Sequence, residues 1–451
     1  MRFKVTQLAL AMTMVFASSS SFATDLMQSY TEARQSDPSL AISESLNSIA
    51  QEGVIQSRSV LLPQINGSAG MNKNDTTQTL GLGPAQDTSS TSQSYGARLN
   101  QSIYNYGNYA QLNSSKERAL QSDSELDSAN QNLIIRVAEA YFNVLTAVDG
   151  LFASRAEEKA VKRQLDQAEK RLEVGLAPIT DVHEAKARYD SARANTILSG
   201  NLLIDLREKL IEITGAQNTN AIKGLPDNFL PKAETRKSLD ELVAEALSNN
   251  PTVIAREKAL QAAESNIKLA KSGHLPYLDG YINYNSNTLV DGDTATFTAA
   301  DSTSTNIGIS LVVPIFSGFN TQSQVREAIS RRDIAADELE QTKRAITRQV
   351  RNADRNLEFG LAEVEARRLA VVSAKSAVEA GEVGMEVGTR TIVDVLIAQQ
   401  QLSTAIREYS LSRHNYLVNT LKLKQADGSL QATDVENVNR LLTVDAEKKL
   451  Q

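Results

Sequence analysis

Two copies of one short motif carry most of the chemistry that this sequence offers. The motif VGTRTIVDVL, at 387–396, places the carboxylate of Asp394 inside an apolar run. A related copy, VGLAPITDV, at 174–182, contains Asp181, which lies 213 residues before Asp394. A buried carboxylate without a partner is costly. We therefore expect both acids to have an electrostatic or hydrogen-bonding role.

The rest of the sequence lacks the patterns of an enzyme active site. The three histidines, His183, His274 and His414, are far apart and have no metal-ligand spacing. The chain has no cysteine, no GxxxxGK[ST] phosphate loop and no GxSxG nucleophile motif. Its formal net charge of -7 argues against nucleic-acid binding. We expect no enzyme activity, no cofactor, no metal site and no nucleic-acid partner.

Residues 1–23 have the composition of a secretory signal peptide. Arg2 and Lys4 precede an apolar segment at about 8–17, and small residues follow it. That segment is too short to span a bilayer as a helix, and no later segment has about 18 consecutive apolar residues. The sequence therefore predicts export of a mature chain that begins near Thr24 and has no membrane-spanning helix.

A constant offset of 213 residues along the chain indicates an internal duplication. We therefore divide the mature chain into a first repeat at 24–230, a second repeat at 231–430 and a tail at 431–451. The offset relates these pairs: Pro38 and Pro251, Pro63 and Pro276, Gly175 and Gly388, Asp181 and Asp394, Gly215 and Gly428.

Each repeat is predicted to begin with a helix, at about 25–60 or 238–273, which ends near a Leu-Pro pair. Two strands with alternating apolar and polar residues follow, and polar loops at 72–92 and 286–305 join them. The strands are expected at about 64–72, 93–104, 277–285 and 306–316.

These strands fit two kinds of protein. About ten residues of period two suit a tilted strand that spans a bilayer, but a half-buried strand in a soluble sandwich alternates in the same way. Four strands cannot close a membrane barrel, and open edges are not tolerated in lipid. If the strands are in a membrane, three chains supply twelve strands in a ring of threefold symmetry.

A very long helical pattern follows each pair of strands. No proline occurs at 108–176 or at 320–387, so each helix is predicted to have about 65 residues and a length of roughly 100 Å. Apolar residues at 4-3-4-3-4 spacing predict coiled-coil packing in the first helix. They are Ile134, Ala138, Tyr141, Leu145, Val148 and Phe152.

A shorter helix, at about 180–214 or 391–426, is expected to return antiparallel after each acidic motif. The two motifs are therefore predicted to be the tips of helical hairpins. Gly175 and Gly388 help the chain turn there, because glycine accepts the left-handed conformation that often ends a helix.

Four stretches of the sequence resemble the TolC family, the trimeric outer-membrane channels of bacterial efflux pumps and type I secretion systems. The resemblance covers essentially the whole mature chain. Its most specific parts are GHLPYLDG at 273–280, VGLAPITDV at 174–182, VGTRTIVDVL at 387–396 and RHNYLVNTLKLKQADGSL at 413–430.

The resemblance implies an α+β membrane protein with a large periplasmic part. Three chains, with four strands each, would form a twelve-strand outer-membrane β-barrel in contact with lipid. A twelve-helix periplasmic α-barrel of coiled coils would continue it, with a waist that draws on about 216–240 and on the chain after Gly428. The tail at 431–451 would lie near this equatorial region.

The function implied is that of an exit duct for drug efflux and type I protein secretion. The homotrimer would open at its periplasmic tip when engaged by a periplasmic adaptor (membrane fusion) protein and an inner-membrane efflux pump or ABC exporter. The alternative is a periplasmic coiled-coil adaptor or structural protein. Such a protein shares the heptads, but it does not need two pairs of alternating strands.

By the same resemblance, the tip motifs hold a gate and a pore constriction. In the closed state Thr180 and Asp181 of one helix pair would lie near Arg390 of the other. Three copies of Asp394 around the threefold axis would make a carboxylate ring, which is a common way to favour cations in a pore.

Two residues depart from the family pattern. Met385 stands where the family has a tyrosine that helps to hold the gate, and methionine cannot donate that hydrogen bond. Ile397 stands near the position of a second aspartate, one turn after Asp394. We expect a looser or differently built gate and weaker blockade by multivalent cations.

Overall fold

The computed structural model describes residues 24–78, 86–215, 222–231, 237–292 and 301–450. The predicted signal peptide and parts of the predicted loops and waist lie outside these residues. The helices are α1 (Leu26–Ser36), α2 (Pro38–Ser59), α3 (Tyr106–Glu173), α4 (Ile179–Thr214), α5 (Leu239–Asn249), α6 (Pro251–Ser272), α7 (Asn320–Glu386), α8 (Ile392–Ala426) and α9 (Ala432–Asn439). The strands are β1 (Gln64–Gln78), β2 (Gln86–Tyr104), β3 (Lys223–Gly224), β4 (Tyr277–Gly292), β5 (Ser302–Val312) and β6 (Val444–Asp445), and a 3₁₀ helix spans Ala446–Lys449.

The long helices form one layer with two free edges. Helix α3 contacts α2 and α4 on one side and α6 and α8 on the other, and α7 contacts α6 and α8. The order across the layer is therefore the α2–α4 pair, then α3, then the α6–α8 pair, then α7. Helix α4 also approaches α8 near the hairpin tips. The α2–α4 pair and α7 are the outermost helices.

Helix α3 has 68 residues and α7 has 67, which makes each roughly 100 Å long. Along α3, five of the six residues predicted for the coiled-coil seam are buried, from Ile134 to Val148. The sixth was wrong: Phe152 is 40% exposed, and Leu151 is buried in its place. A straight helix drifts against a strict heptad repeat, so the seam moves by one residue after Val148.

The first helix of each predicted repeat is in fact two helices. The predicted helices at 25–60 and 238–273 break at Asp37 and Asn250, whose ψ angles of 115° and 121° are extended. Each precedes a proline, which disfavours the helical conformation of the residue before it. Each side chain then caps the next helix: Asp37 accepts a hydrogen bond from the Leu40 amide, and Asn250 accepts one from the Thr252 amide.

Four strands form one antiparallel sheet in the order β1-β2-β4-β5. All four run further into the predicted polar loops than expected: β1 to Gln78, β2 from Gln86, β4 to Gly292 and β5 from Ser302. The Ser- and Thr-rich residues there pair as strand rather than turn. β5 is shorter at its other end and stops at Val312, because Pro314 cannot donate a ladder hydrogen bond.

The two faces of this sheet differ in polarity. One row of directly paired residues is apolar on all four strands, and the next row is polar on all four. The apolar row is Ile65, Leu99, Ile282 and Ile307; the polar row is Asn66, Arg98, Asn283 and Asn306. Successive residues of a strand point to opposite faces, so the apolar row and the polar row lie on opposite sides.

The largest core lies midway along α3, around Tyr141 and Phe142. Helices α1, α4, α8 and α9 pack there, and β3 pairs with β6 beside it. The hydroxyl of Tyr141 donates to the Lys223 carbonyl at 2.7 Å. In the described part of the chain, no helix combines the length and the apolar composition needed to cross a membrane.

Candidate functional site

Two tight turns end the helical layer, one after α3 and one after α7. Gly175 and Gly388 have φ values of +74° and +78°, which glycine adopts without strain. The Leu176 amide donates to the Arg171 carbonyl at 2.7 Å, and the Thr389 amide donates to the Gly384 carbonyl at 2.8 Å. These bonds satisfy carbonyls at the helix ends, so both acidic motifs lie at hairpin tips.

Asp394 is partly exposed, and it has the hydrogen-bonding role that we expected of an acid inside an apolar run. Its Oδ2 accepts hydrogen bonds from the Thr391 amide at 3.0 Å and the Thr391 hydroxyl at 2.9 Å. In return, the Asp394 amide donates to the Thr391 hydroxyl oxygen at 3.3 Å. This reciprocal pair is a capping box at the start of α8.

The capping box sets the electrostatics of Asp394. Hydrogen bonds from the backbone and the hydroxyl of Thr391, together with the positive charge of Arg390, hold the pKa of Asp394 below its usual range. The Thr-x-x-Asp spacing is a recognised signal for such a cap. The sequence therefore contained this role, and our sequence analysis missed it.

The apolar residues around Asp394 serve a cluster that joins the two hairpins. Ile392, Val395 and Leu396 are buried with Val161, Leu165 and Ala168 of α3 and with Ala185 of α4. Met385 belongs to this cluster and is 9% exposed. At the position where the resemblance implies a gate tyrosine, this chain therefore has a side chain that packs into the tip core.

Arg390 lies across Gly384, a residue that the sequence analysis did not select. The Gly384 carbonyl accepts hydrogen bonds from the amides of Thr389 and Arg390, at 2.8 and 3.1 Å, and from the Thr389 hydroxyl at 3.1 Å. A Cβ at position 384 would stand 2.8 Å from Cγ of Arg390. Glycine at 384 thus leaves the space in which the arginine stem lies; a glycine in the last turn of α7 was the only sequence signal.

Thr180 and Asp181 are the second and third residues of α4, at the other tip. Across the described residues of one chain, no hydrogen bond or ion pair joins either of them to Arg390. A single chain therefore does not assemble the predicted gate contact. The pairing of Arg390 with Thr180 and Asp181 stays a prediction, and it requires either another chain or a different arrangement of the tips.

The tips do not resemble a metal centre. Among the side chains that the structure describes, no group of three or more His, Asp or Glu residues could hold a metal ion. His414 lies far along α8 from the tip, buried, with its Nδ1 2.8 Å from the Thr146 hydroxyl.

A family model described as outer membrane efflux protein matches residues 29–216 and 242–429 of this chain. The chain belongs to the outer membrane efflux protein family. This confirms the resemblance that the tip motifs and the GHLPYLDG stretch indicated. The second matched segment begins and ends 213 residues after the first, which is the offset seen in the sequence.

Three relatives match over most of their length. Outer membrane protein TolC of Vibrio cholerae serotype O1 is 39% identical over 430 residues, which cover 95% of this chain and 96% of that protein. TolC of Escherichia coli K12 is 34% identical over 433 residues, covering 94% and 86%. The alkaline protease secretion protein AprF of Pseudomonas aeruginosa is 27% identical over 421 residues, covering 92% and 87%.

Solved structures share the fold at lower identity. The outer membrane protein VceC of Vibrio cholerae superposes with a TM-score of 0.73 at 17% identity, over 89% of this chain and 96% of that one. At this identity the likeness shows the fold alone. The matched proteins are efflux and secretion proteins rather than enzymes, which fits the expectation for this chain.

Proposed function

We propose that three copies of this chain form one outer-membrane exit duct for drug efflux and type I protein secretion. An outer-membrane exit duct for efflux and secretion is the function that the family and the relatives named for protease secretion support. Our proposal adds the trimer, the closed periplasmic tip and the partners. The observation that carries it is a four-strand sheet with two free edges, joined directly to helices roughly 100 Å long.

The polarity of the sheet supports a water-filled barrel in a bilayer. The apolar row through Ile65 and Ile307 suits a face against lipid, and the polar row through Asn66 and Asn306 suits a lumen. β1 and β5 are the free edges, and a strand edge cannot stay open in lipid. Pairing β5 of one copy with β1 of the next closes a ring of twelve strands.

Aromatic residues at the junctions between the sheet and the helices indicate where the membrane surface would lie. Tyr104 ends β2 and Tyr106 begins α3, while Phe316 and Phe319 lie between β5 and α7. All four rings are exposed in one chain. Aromatic girdles occupy the interfaces of outer-membrane barrels. The helices then continue on the periplasmic side as a tube of twelve, and the signal at 1–23 directs the chain to export.

The gate of this duct lies at the hairpin tips. Arg390 of one helix pair ties to Thr180 and Asp181 of another, and three Asp394 carboxylates line the constriction. Exposed ties of this kind contribute about 0.2–1 kcal/mol each, so their threefold repetition holds the tip shut and still lets a partner open it. The partners are a periplasmic adaptor protein and an inner-membrane efflux pump or ABC exporter.

A periplasmic adaptor is the second candidate function, and the sheet disfavours it. A soluble adaptor has no use for an apolar row across four strands whose members Ile65 and Ile307 are 74% and 76% exposed. Cell fractionation separates the two functions. Recovery in the outer membrane, with release only by detergent, supports the duct, whereas a periplasmic protein that salt washes away would contradict it.

Accessibility on intact cells tests the orientation. We expect an epitope inserted near Asp87 or Asp291, at the ends of β2 and β4 away from the helices, to bind antibody on intact cells. An epitope near Leu176, at the α3–α4 tip, should bind only after the outer membrane is permeabilised. The reverse pattern would overturn the proposed topology.

A further inference from the structure

The outer face of α7 carries a row of arginines that remain exposed in the described part of the chain. The row recurs at 4-3-4 spacing, so its members share one helical face, and all four are exposed: Arg344, Arg348, Arg351 and Arg355. The opposite face of α7 holds Ile346, Val350 and Ala353, which are buried against the chain's own helices. The row therefore points away from the layer, at one of its free edges.

Among the described residues, the row has few counter-charges. Arg344 pairs with Glu340 on its own helix, and Arg355 bonds the side chain of Asn352. Within the residues that the structure describes, Arg348 and Arg351 make neither an ion pair nor a hydrogen bond. A groove along the row is lined by these arginines and by Leu247 of α5.

The other free edge carries the opposite charge at the same spacing. Asn201, Asp205, Glu208 and Glu212 follow one another at 4-3-4 spacing on α4 and are all exposed. The opposite face of α4 holds Leu203 and Leu210, which are buried in the main core. Asp205 pairs with Lys209 at 3.2 Å, whereas Glu208 and Glu212 have no cationic partner among the described residues.

The two rows lie at the same height along the layer. Height can be counted in residues from the turn glycines, because α4 rises from Gly175 and α7 descends to Gly388 with the same rise per residue. Glu212 is as many residues after Gly175 as Arg351 is before Gly388. The same equality holds for Glu208 and Arg355.

Nearer the tips, an exposed apolar residue of α4 lies at the same height as an exposed apolar residue of α7. Ile204 of α4 and Phe359 of α7 are also equally distant from their turn glycines. They are 59% and 66% exposed, although both are large apolar side chains. Going from the core towards the tips, each edge therefore shows two charged residues and then an apolar one, with opposite charges on the two edges.

We infer that α4 of one copy packs against α7 of the next, joining Glu212 to Arg351, Glu208 to Arg355 and Ile204 to Phe359. This inference rests on the proposed trimeric duct and names the helical seam that holds it together. The contact is head-to-tail, with a different surface on each partner, so three copies close a ring when the rotation fits.

A second copy of this chain supplies partners for Arg351 and Arg355 and for Glu208 and Glu212 at once. An anionic partner of another kind would use the arginine row and leave the matching acidic row on α4 unexplained. Like charges would meet if α7 packed against α7 or α4 against α4, so the charges select the head-to-tail arrangement and fix its register. The pair of Ile204 and Phe359 excludes water beside the ion pairs, which strengthens their attraction.

Charge reversal in the full-length, detergent-solubilised protein tests the seam. The double variant Arg351→Glu with Arg355→Glu sets four acids against each other at each contact, and the trimer should be lost on native mass measurement. Glu208→Arg with Glu212→Arg should have the same effect. All four changes in one chain restore opposite charges, and the trimer should return.

The control reverses two positive charges away from both edges. Lys159 and Arg163 are exposed on α3 with the same i, i+4 spacing as Arg351 and Arg355, and α3 is flanked by other helices on both sides. Lys159→Glu with Arg163→Glu should leave the trimer intact. Undisturbed trimers of either edge variant, or failure of the fourfold variant to recover them, would overturn the seam.

Mixing the two edge variants adds a test of the ring itself. In a ring of three, two variants cannot alternate fully, so at least one contact keeps like charges. Co-expression should therefore recover fewer trimers than the fourfold variant does in a single chain, and full recovery would contradict the head-to-tail seam. If the wild-type protein is not a trimer, the proposed function fails; if it is, and charge reversal has no effect, only this inference fails.

Discussion

At the scale of single residues, Asp394 is subject to two opposing influences on its pKa. Within one chain, hydrogen bonds from Thr391 lower the pKa of Asp394. In the proposed ring, two further carboxylates repel it and raise the pKa. Asp394 thus helps to cap the start of α8 and, by our proposal, supplies negative charge to the constriction. These two roles can be separated by substitution.

Asp394→Asn should abolish the cation preference of the channel and leave the tip folded, because an amide oxygen still accepts the capping hydrogen bonds.

Thr391→Ala keeps the charge but removes the hydroxyl donor, so the pKa of Asp394 rises. Its cation preference should then disappear at a higher pH than in the wild type as the solution is acidified. Reversal potentials across a salt gradient at a series of pH values measure both effects. Unchanged selectivity in Asp394→Asn would remove this residue from the constriction.

Gly384→Ala should loosen the tip, because the added Cβ would stand 2.8 Å from Cγ of Arg390 and push the arginine aside. We expect higher single-channel conductance or longer openings. Gly381→Ala is the matched control one turn earlier on α7, where an added Cβ would meet Val395 Cγ2 at an ordinary 3.6 Å. Equal behaviour of the two variants in planar bilayers would mean that the position of Arg390 does not govern closure.

A double-mutant cycle tests the predicted tie between the tips. Arg390→Ser and Asp181→Ala should each raise conductance or open time, since each removes one side of the tie. Together they should gain less than the sum of the single effects, because the second change finds the contact already broken. Wild-type conductance in all three variants would show that other contacts hold the closed state.

At the scale of elements, the two interrupted helices are a natural comparison within one chain. Asp37 and Asn250 hold equivalent places and both cap a helix that begins with proline. Only Asp37 is charged, and Arg136 donates to it at 3.2 and 2.5 Å. Burial raises the pKa of Asp37, but the hydrogen bonds from Arg136 and the Leu40 amide outweigh it and leave that pKa below its usual range.

Asp37→Asn should keep the cap and lose the charge pairing, which lowers the free energy of unfolding by about 1–2 kcal/mol at neutral pH. Because the folded pKa of Asp37 is depressed, its stabilisation is present above the unfolded pKa and is lost as pH falls through the folded pKa. The difference from the wild type should therefore shrink on acidification. Melting followed by circular dichroism gives this comparison.

Asn250→Ser is the control for that prediction. The variant keeps a capping oxygen but loses the hydrogen bonds that the Asn250 amide donates to Gln425 and Ala426. Its loss of stability should be the same at every pH, because no titratable group is removed. A pH-dependent difference at Asn250, or a pH-independent one at Asp37, would contradict the assignment of the charge effect to Asp37.

The ends of helices and strands could be predicted from the sequence where a glycine, a proline or a heptad pattern determines them. Other ends could not be predicted in this way. The long helices end near Gly175 and Gly388, as predicted, because the turn needs a left-handed residue. The strands were predicted too short, since Ser- and Thr-rich segments look like loops but can also pair in a ladder. Pro38 and Pro251 were signals for a helix break in the sequence. We nevertheless predicted continuous helices, because the residues on both sides have helical periodicity.

The candidate site was predictable only in part for a similar reason. Local spacing contains the capping box of Thr391 and Asp394. The contact of Arg390 with Gly384 depends on how the chain turns back over α7, and the core position of Met385 depends on the packing of four helices. The charged rows of α4 and α7 are also visible in the sequence, but only the folded chain shows that both lie at free edges of the helical layer.

At the scale of the whole molecule, the sheet and the helical layer of one chain each have two free edges. The sheet ends at β1 and β5, and the helical layer ends at the α2–α4 pair and at α7. A closed assembly covers these four edges at once. The trimer is therefore the central claim, on which the barrel, the tunnel, the gate and the seam depend.

Native mass measurement of the detergent-solubilised protein, with planar-bilayer conductance recorded on the same sample, tests that claim most directly. We predict a mass of three mature chains and channel activity that belongs to this species alone, with separated chains lacking a folded barrel. A stable single chain that is folded and conducts ions would contradict the account.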